Sequence, residues 1–324
     1  MNEKTKKKKP IFKKWWFWVI VVIFIAIFAM SGSDESKKEI ASVDGQKTES
    51  SENAAKSDDS QEEATTDTTN TDTAKTEETS IEEQVLFEQD GIKITATEYV
   101  TDSIWGEGIK LLLENNSDKT VGIGCETLIV NDYMIDNLFT TTVAAGKKDN
   151  ETLDLYSSEL EAAGIENVGQ IEIKFYLYDA ETYMTTYTAD MVTIQTSAYD
   201  EMDITPEDAG QELYNENGVR IVGKYVDEYS IWGSAILLYM EINSGKNIIV
   251  SCDELSVNGY MITSLLYSTI NDGKMIIDDI ALLSSDLEEN GIENIEEVVL
   301  VFDILDAESY STITSSDPIS FTLN

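Results

Sequence analysis

Leu128-Ile129-Val130-Asn131-Asp132-Tyr133-Met134-Ile135 returns 127 residues later as Leu255-Ser256-Val257-Asn258-Gly259-Tyr260-Met261-Ile262. The second copy reads as strand, two-residue turn, strand. Asn-Gly supplies positive φ at both central positions of a type I′ turn, whose twist matches that of the strands it joins. Asn131-Asp132 is a weaker form of the same signal. The shift holds on either side. Ser103-Ile104-Trp105-Gly106 recurs as Ser230-Ile231-Trp232-Gly233, Asn116-Ser117 as Asn243-Ser244, and Cys125 as Cys252. Gly146-Lys147 becomes Gly273-Lys274, Gly164-Ile165-Glu166-Asn167 becomes Gly291-Ile292-Glu293-Asn294, and Asp179-Ala180 with Tyr183 becomes Asp306-Ala307 with Tyr310. In the first strand the best match sets Tyr99 against Tyr225, one residue off that register. A constant shift over about 80 residues means that one domain was duplicated. Each copy is large enough to own a core.

Within a copy, apolar residues alternate. Ile92, Ile94 and Ala96 interleave with Lys93, Thr95 and Thr97. Ile109, Leu111 and Leu113 do the same, as do Ile236, Leu238, Met240 and Ile242. Period two marks strands with one buried face. Ile171 to Leu177 and Val298 to Leu305 read as largely buried late strands. Met191 to Ile194 and Ile319 to Leu323 close the copies, with Pro318 at a strand start, where a missing N–H does little harm. Ser158-Glu159-Leu160-Glu161 and Ser285-Asp286-Leu287-Glu288 have the capping-box pattern. Each predicts a helix of five to seven residues, stopped by Gly164 or Gly291 in the left-handed conformation. Seven or eight short strands per copy predict an all-β fold: two tandem immunoglobulin-like antiparallel β-sandwiches, each with one short helix. No Cys…Trp…Cys pattern marks them as antibody-type.

The succession of strand, Asn-x-Ser, strand, Val-Asn-Gly hairpin and Gly-Lys, behind an acidic spacer, resembles the telokin-like, immunoglobulin-like extracytoplasmic domains of membrane-anchored Gram-positive proteins. The resemblance spans both copies. It implies a fold and an envelope location, brings no catalytic residues, and leaves the activity open.

Ahead of the copies, Trp15 to Ser33 carries no charge, and Trp15 to Met30 is apolar throughout. Such a run is long enough to cross a bilayer as a helix. Seven lysines lie in residues 4–14, and Trp15, Trp16 and Trp18 sit at the expected headgroup level. The positive-inside rule then puts the N-terminus in the cytoplasm and the rest outside. Cleavage as a signal peptide near Ala29-Met30-Ser31 is the competing reading. Ser33 stands where a lipoprotein signal would place its cysteine, so there is no thiol to lipidate. Residues 34–83 are Ser, Thr, Asp, Glu, Lys and Ala with almost nothing apolar, too little to offset the entropy of ordering. The expected organisation is a basic tail at 1–14, a membrane helix at 15–33, a disordered linker at 34–83, repeat 1 at 84–196, a linker at 197–211 and repeat 2 at 212–324.

The chain has 22 Lys+Arg against 62 Asp+Glu, a net charge of −40, and no histidine. That surface repels nucleic-acid phosphates and anionic headgroups, while keeping an exposed protein soluble. Without histidine the commonest acid/base group and metal ligand is missing. No P-loop, dinucleotide fingerprint, zinc pair or HExxH motif is present, so no cofactor, metal or enzyme activity is expected. Cys125 and Cys252 are one per copy, which excludes a disulfide within a copy and reads as small buried side chains. Trp105 and Trp232 read first as core residues; exposed, they would stack on a sugar ring. The expected function is a non-enzymatic, cell-envelope-anchored protein whose extracytoplasmic domains bind or sense an envelope protein or polysaccharide. A surface spacer without ligand, and a carbohydrate-binding module using Trp105 and Trp232, are the alternatives.

Overall fold

The computed structural model describes residues 78–103, 105–230 and 233–321. The basic tail, the membrane helix expected at 15–33 and most of the 34–83 linker lie outside the described residues. No helix among the described residues is long and apolar enough to cross a membrane.

Repeat 1 comprises β1 (Gln84–Gln89), β2 (Ile92–Ser103), β3 (Gly106–Asn115), β4 (Val121–Val130), β5 (Tyr133–Met134), β6 (Thr140–Val143), β7 (Lys147–Tyr156), helix α1 (Ser157–Ala162), β8 (Gln170–Asp179), β9 (Thr185–Thr188) and β10 (Val192–Gln195). Strands β1-β2-β3-β7 form one sheet; β8 pairs with β10, β9 and β4, and β4 with β5 and β6. The alternation read from the sequence is the reason two sheets can face each other. Ile94, Leu111 and Leu153 from one and Ile123, Ile173 and Phe175 from the other meet in a single core. Each such side chain, at most 1% exposed, stabilises the fold by about 1.5–3 kcal/mol.

Repeat 2 reproduces this element by element: β11 (Gln211–Glu216), β12 (Val219–Ser230), β13 (Gly233–Ile242), β14 (Ile248–Val257), β15 (Tyr260–Met261), the added β16 (Ser264–Leu265), β17 (Tyr267–Ile270), β18 (Met275–Leu283), α2 (Ser284–Glu289), β19 (Val298–Asp306), β20 (Thr312–Ser315) and β21 (Ile319–Phe321). Even the bulges recur at the same shift. Those at Ala96/Glu98 and Cys125/Thr127 correspond to those at Gly223/Tyr225 and Cys252/Glu254. The one-residue adjustment in the first strand is therefore wrong. Tyr99 lies opposite Ile109 and Val226 opposite Ile236, so Tyr99 corresponds to Val226. The identity of two tyrosines had outweighed the position of the bulge.

Both turns at the quoted stretch have positive φ at both residues, Asn131 (47°) and Asp132 (67°) as well as Asn258 (51°) and Gly259 (82°). The asparagines do more than tolerate that geometry. Asn131 Oδ1 accepts from the amides of Gly169 (2.9 Å) and Gln170 (3.0 Å), and Asn258 Oδ1 from those of Glu296 (2.9 Å) and Glu297 (3.0 Å). The hairpin is thereby tied to the start of the late buried strand. The capping boxes do not form. The N-caps are Tyr156 and Leu283, and neither makes a side-chain cap bond. The chain enters each helix directly from a strand, so an extended strand residue takes the cap position. The glycine stops do form, with Gly164 at φ 69° and Gly291 at φ 67°.

The two repeats are one continuous structure, where separate sandwiches joined by a spacer were expected. β5 of repeat 1 runs parallel to β18 of repeat 2, Tyr133 opposite Met275 and Met134 opposite Ile276, so the order β10-β8-β4-β5-β18-β13-β12-β11 crosses from one repeat into the other. Tyr133 is 1% exposed and packs edge-on to Tyr239. Val222, Tyr239, Met275 and Ile277 of repeat 2 belong to the core cluster of repeat 1. Their counterparts in repeat 1 are Thr95, Leu112, Lys148 and Asn150, three of the four polar. Lys274 completes the joint, bonding Asp132 at 2.7 Å and Glu172 at 2.5 Å. Burial opposes its charge, and the two carboxylates outweigh burial, so its pKa is raised.

The expected boundaries shift as well. Ile81, assigned to the N-terminal linker, pairs with Thr196, and the Ser80 amide donates to Ser197 Oγ. The 197–211 segment contains a 3-10 turn at Tyr199–Glu201. The Glu207 amide donates to Tyr133 Oη (2.8 Å), and Arg220 reaches Asp208 (2.8 Å). The segment is anchored to both repeats.

Candidate functional site

The β8–β9 and β19–β20 connections are built alike. In the first, Asp179 Oδ1 accepts from the amides of Glu181 (3.0 Å) and Thr182 (2.8 Å) and from Thr182 Oγ1 (3.1 Å). In the second, Asp306 Oδ1 accepts from the amides of Glu308 (3.1 Å) and Ser309 (3.0 Å) and from Ser309 Oγ (3.1 Å). This is the local bonding by which Asp stabilises turns. It holds both carboxyls below the usual carboxylate range; for Asp306 the Lys246 ammonium is the largest cause, for Asp179 the amide of Thr182.

Each turn delivers a tyrosine in the left-handed region. Tyr183 has φ 58° and Tyr310 φ 56°, with their amides 2.8 Å from the carbonyls of Asp179 and Asp306. Left-handed geometry costs a bulky L-residue about 1–2 kcal/mol, and Gly or Asn would take it more easily. Burial does not offset that cost, since Tyr183 is 77% and Tyr310 68% exposed.

In repeat 1 the exposed ring stands on others. Tyr183 stacks on Tyr178 at 6.2 Å between centroids, and Tyr178 is 5.9 Å from Tyr176. Tyr176 and Tyr178 alternate with the core residues Phe175 and Leu177, so they share the outer face of β8. Gly124 and Gly122 lie directly opposite them on β4. A Cβ at Gly122 would meet the Tyr178 ring at 2.1 Å, and one at Gly124 the Tyr176 ring at 2.3 Å. The rings lie on bare backbone, covering strand glycines that pack nothing themselves. Repeat 2 has Ile249, Ser251, Asp303 and Leu305 at the four positions. The platform belongs to repeat 1, while the outermost tyrosine is common to both.

The residues singled out from the sequence fall elsewhere. Trp105 does not fill the core: it is 47% exposed, edge-on to Tyr156 at 6.0 Å, with its carbonyl accepting from the Ser157 amide at 3.1 Å. Trp232 lies outside the described residues. Cys125 and Cys252 are buried free thiols beside the β4 and β14 bulges. Burial pushes them up to about 12 and about 11. Tyr133 and Tyr260, equivalent in sequence, part company: Tyr133 lies in the joint and Tyr260 is 51% exposed. Lys274, whose place in the repeat gave no sign of it, sits in the joint between Asp132 and Glu172. The Tyr176–Tyr178 platform was missed. Its signal is Gly-x-Gly on one strand opposite Tyr-x-Tyr on another, and pairing the two needs the register.

A carboxylate group straddles the repeats. Burial, with Asp136, Asp278 and Asp279 nearby, pushes Glu159 up to about 7. Burial also raises Asp278 to about 6, against the Ser268 hydroxyl and with Asp136 and Asp279 contributing. Asp279 is raised by burial, Asp227 and Asp136.

No protein-family model matches the chain, and no curated protein matches it. Among solved structures it is similar to one described as the crystal structure of a protein of unknown function from Porphyromonas gingivalis W83. The likeness is 9% identity over 74% of this chain and 94% of that one, at a TM-score of 0.18.

Proposed function

We propose that the chain is a non-enzymatic, cell-envelope-anchored binding protein, with residues 15–33 in the bilayer and two immunoglobulin-like repeats presented outside as one rigid body. The observation that carries the reading is the pair of tyrosines, Tyr183 and Tyr310, held out on identical Asp-braced turns at a conformational cost that burial does not offset. Surface aromatic side chains of this kind are the usual anchors of recognition. The order of strands supports the immunoglobulin-like assignment: β2-β3-β7 face β10-β8-β4-β6, the chain crossing between the sheets after β3, after β6 and after β7. The lysine-flanked apolar run and the acidic body support the location. The telokin-like resemblance agrees with both.

Protease shaving of intact Gram-positive cells expressing the full chain tests the location. A C-terminal epitope is digested while an N-terminal epitope stays protected. Digestion of neither, or recovery of the intact chain in the cytosol, rejects the reading. Binding is tested by exposing the full chain in detergent micelles to isolated cell envelopes. Retention falls in the Tyr183→Asn/Tyr310→Asn variant; equal retention, or none, leaves a spacer.

A further inference from the structure

Each exposed tyrosine stands in an eight-residue run without a charged side chain. These are Thr182-Tyr183-Met184-Thr185-Thr186-Tyr187-Thr188-Ala189 and Ser309-Tyr310-Ser311-Thr312-Ile313-Thr314-Ser315-Ser316. Uncharged runs of this length occur elsewhere, as at 137–146 and 255–271; what sets these two apart is that each begins on an Asp-braced turn with a left-handed tyrosine. The runs coincide with β9 and β20 and their approaches; β9 is exposed at all four positions, and β20 at Thr312, Ile313 and Ser315. The runs themselves present aromatic faces and hydroxyls with no Arg or Lys; Lys246, beside the second turn, is held by Asp306 at 2.9 Å. A protein-binding anchor of this area would be enriched in Arg beside the aromatics, and an anionic ligand would need cations to offset the acidic body. An uncharged ligand with an apolar face to stack and hydroxyls to exchange hydrogen bonds satisfies all three observations.

The duplication narrows the class further. Five positions of the turn agree or nearly agree between the repeats: Asp-Ala-Glu-Thr-Tyr and Asp-Ala-Glu-Ser-Tyr. Around them the surface has diverged, with Tyr176 replaced by Asp303, Tyr178 by Leu305 and Met184 by Ser311. Two like sites on one continuous sheet structure suit a ligand that repeats itself. Binding at the second site then becomes intramolecular and the affinities multiply.

We propose that Tyr183 and Tyr310, each with the hydroxyl-bearing strand that follows it, are twin stacking sites for a neutral polysaccharide. The proposal rests on the reading of the chain as a binding protein and names the ligand class of that site. It moves the sugar-stacking role from Trp105 to the two tyrosines.

The test is depletion of the full chain, in detergent micelles, onto insoluble cellulose and chitin, with protein-coated beads as control. The wild type is depleted by at least one polymer and not by the control. Tyr183→Asn and Tyr310→Asn each weaken retention about tenfold, and the double variant falls to background. Asn tolerates left-handed geometry, so the melting temperature of each variant is unchanged or higher. A tyrosine that only braced the turn would lower it. Four results overturn the proposal: no retention on either polymer, equal retention by the variants, equal retention on the protein control, or loss on Trp105→Ala with both tyrosines dispensable. The shaving experiment is independent, so the envelope reading survives a failure here, and a cytosolic chain that still binds chitin would reject the location alone.

Discussion

Tyr178 and Gly122 form a pair in which neither residue's role is visible alone. The ring lies where a Cβ would be, at 2.1 Å. Gly122→Ala therefore lifts the ring off the strand, along with the Tyr183 ring stacked on it. The expected cost is about 1–3 kcal/mol, the range for overpacking a filled site, read as a lower denaturation midpoint with an unchanged slope. Gly122→Ala with Tyr178→Ala recovers part of the loss, because the clash is gone. From sequence, the glycines in Val121-Gly122-Ile123-Gly124 weaken a strand and the tyrosines of β8 look like ordinary strand formers. Only the register Gly122 opposite Tyr178 and Gly124 opposite Tyr176 makes them one feature. The same limit applied to Trp105. A Trp between Ile and Gly has the composition of a core residue, yet it falls in the β2–β3 connection, where its ring has Tyr156 on one side and solvent on the other.

At the scale of the element, the helices were legible and their starts were not. Gly164 and Gly291 end α1 and α2 as read. The Ile165 amide reaches back to the Leu160 carbonyl (2.8 Å) and the Ile292 amide to that of Leu287 (2.9 Å), the closing bond of a glycine-stopped helix. The two stops differ in surroundings. A Cβ on Gly164 would lie 2.7 Å from Glu207 Cγ, whereas one on Gly291 would meet nothing within 4 Å. Gly291→Ala is expected to cost about 1 kcal/mol for the left-handed backbone alone. Gly164→Ala costs more, because it also disturbs the segment that bonds Tyr133. Chemical denaturation of the two variants checks the order; equal losses would show that Glu207 moves aside freely. The capping boxes failed for a different reason. Ser158 and Ser285 have the right spacing, but β7 and β18 run without a break into the helices, so the residue before the first turn is set by the strand.

The whole molecule is governed by the joint between repeats. Lys274 sits between Asp132 and Glu172, its side chain 17% exposed. Lys274→Ala leaves two carboxylates facing each other, at an expected cost of about 1–3 kcal/mol once partial exposure is allowed for. Calorimetry should turn from one cooperative transition into two, with faster amide exchange at Met275 and Ile276. Retention of a single sharp transition would show that the apolar contacts of Tyr133 and Tyr239 suffice. The straddling carboxylates make the same joint pH-dependent. Glu159 (about 7) and Asp278 (about 6) have pKa values raised above those of an unfolded chain. The folded state therefore binds more protons through that window. Stability rises as pH falls from about 7 to about 4, and the gain is complete once both states are protonated. Glu159→Gln with Asp278→Asn flattens the profile of melting temperature against pH. An unchanged slope would place its origin elsewhere.

The duplication, the strand periodicity, the hairpin turns and the unpaired buried cysteines were all settled by local rules: which residues accept positive φ, and which alternate. Those rules act within a few positions of the chain, and a repeated sequence states them twice. The joint obeys none of them. Tyr133 and Tyr260 share neighbours and differ in fate, since β18 of repeat 2 lies against one and no strand other than β14 pairs with the other's among the described residues. Long-range packing made two similar sequences unlike, by burying the outer face of one sheet and leaving that of the other to water. It likewise set Tyr178 on Gly122 and beneath Tyr183, a contact between residues about 55 positions apart along the chain that depends on sheet register rather than on sequence neighbourhood.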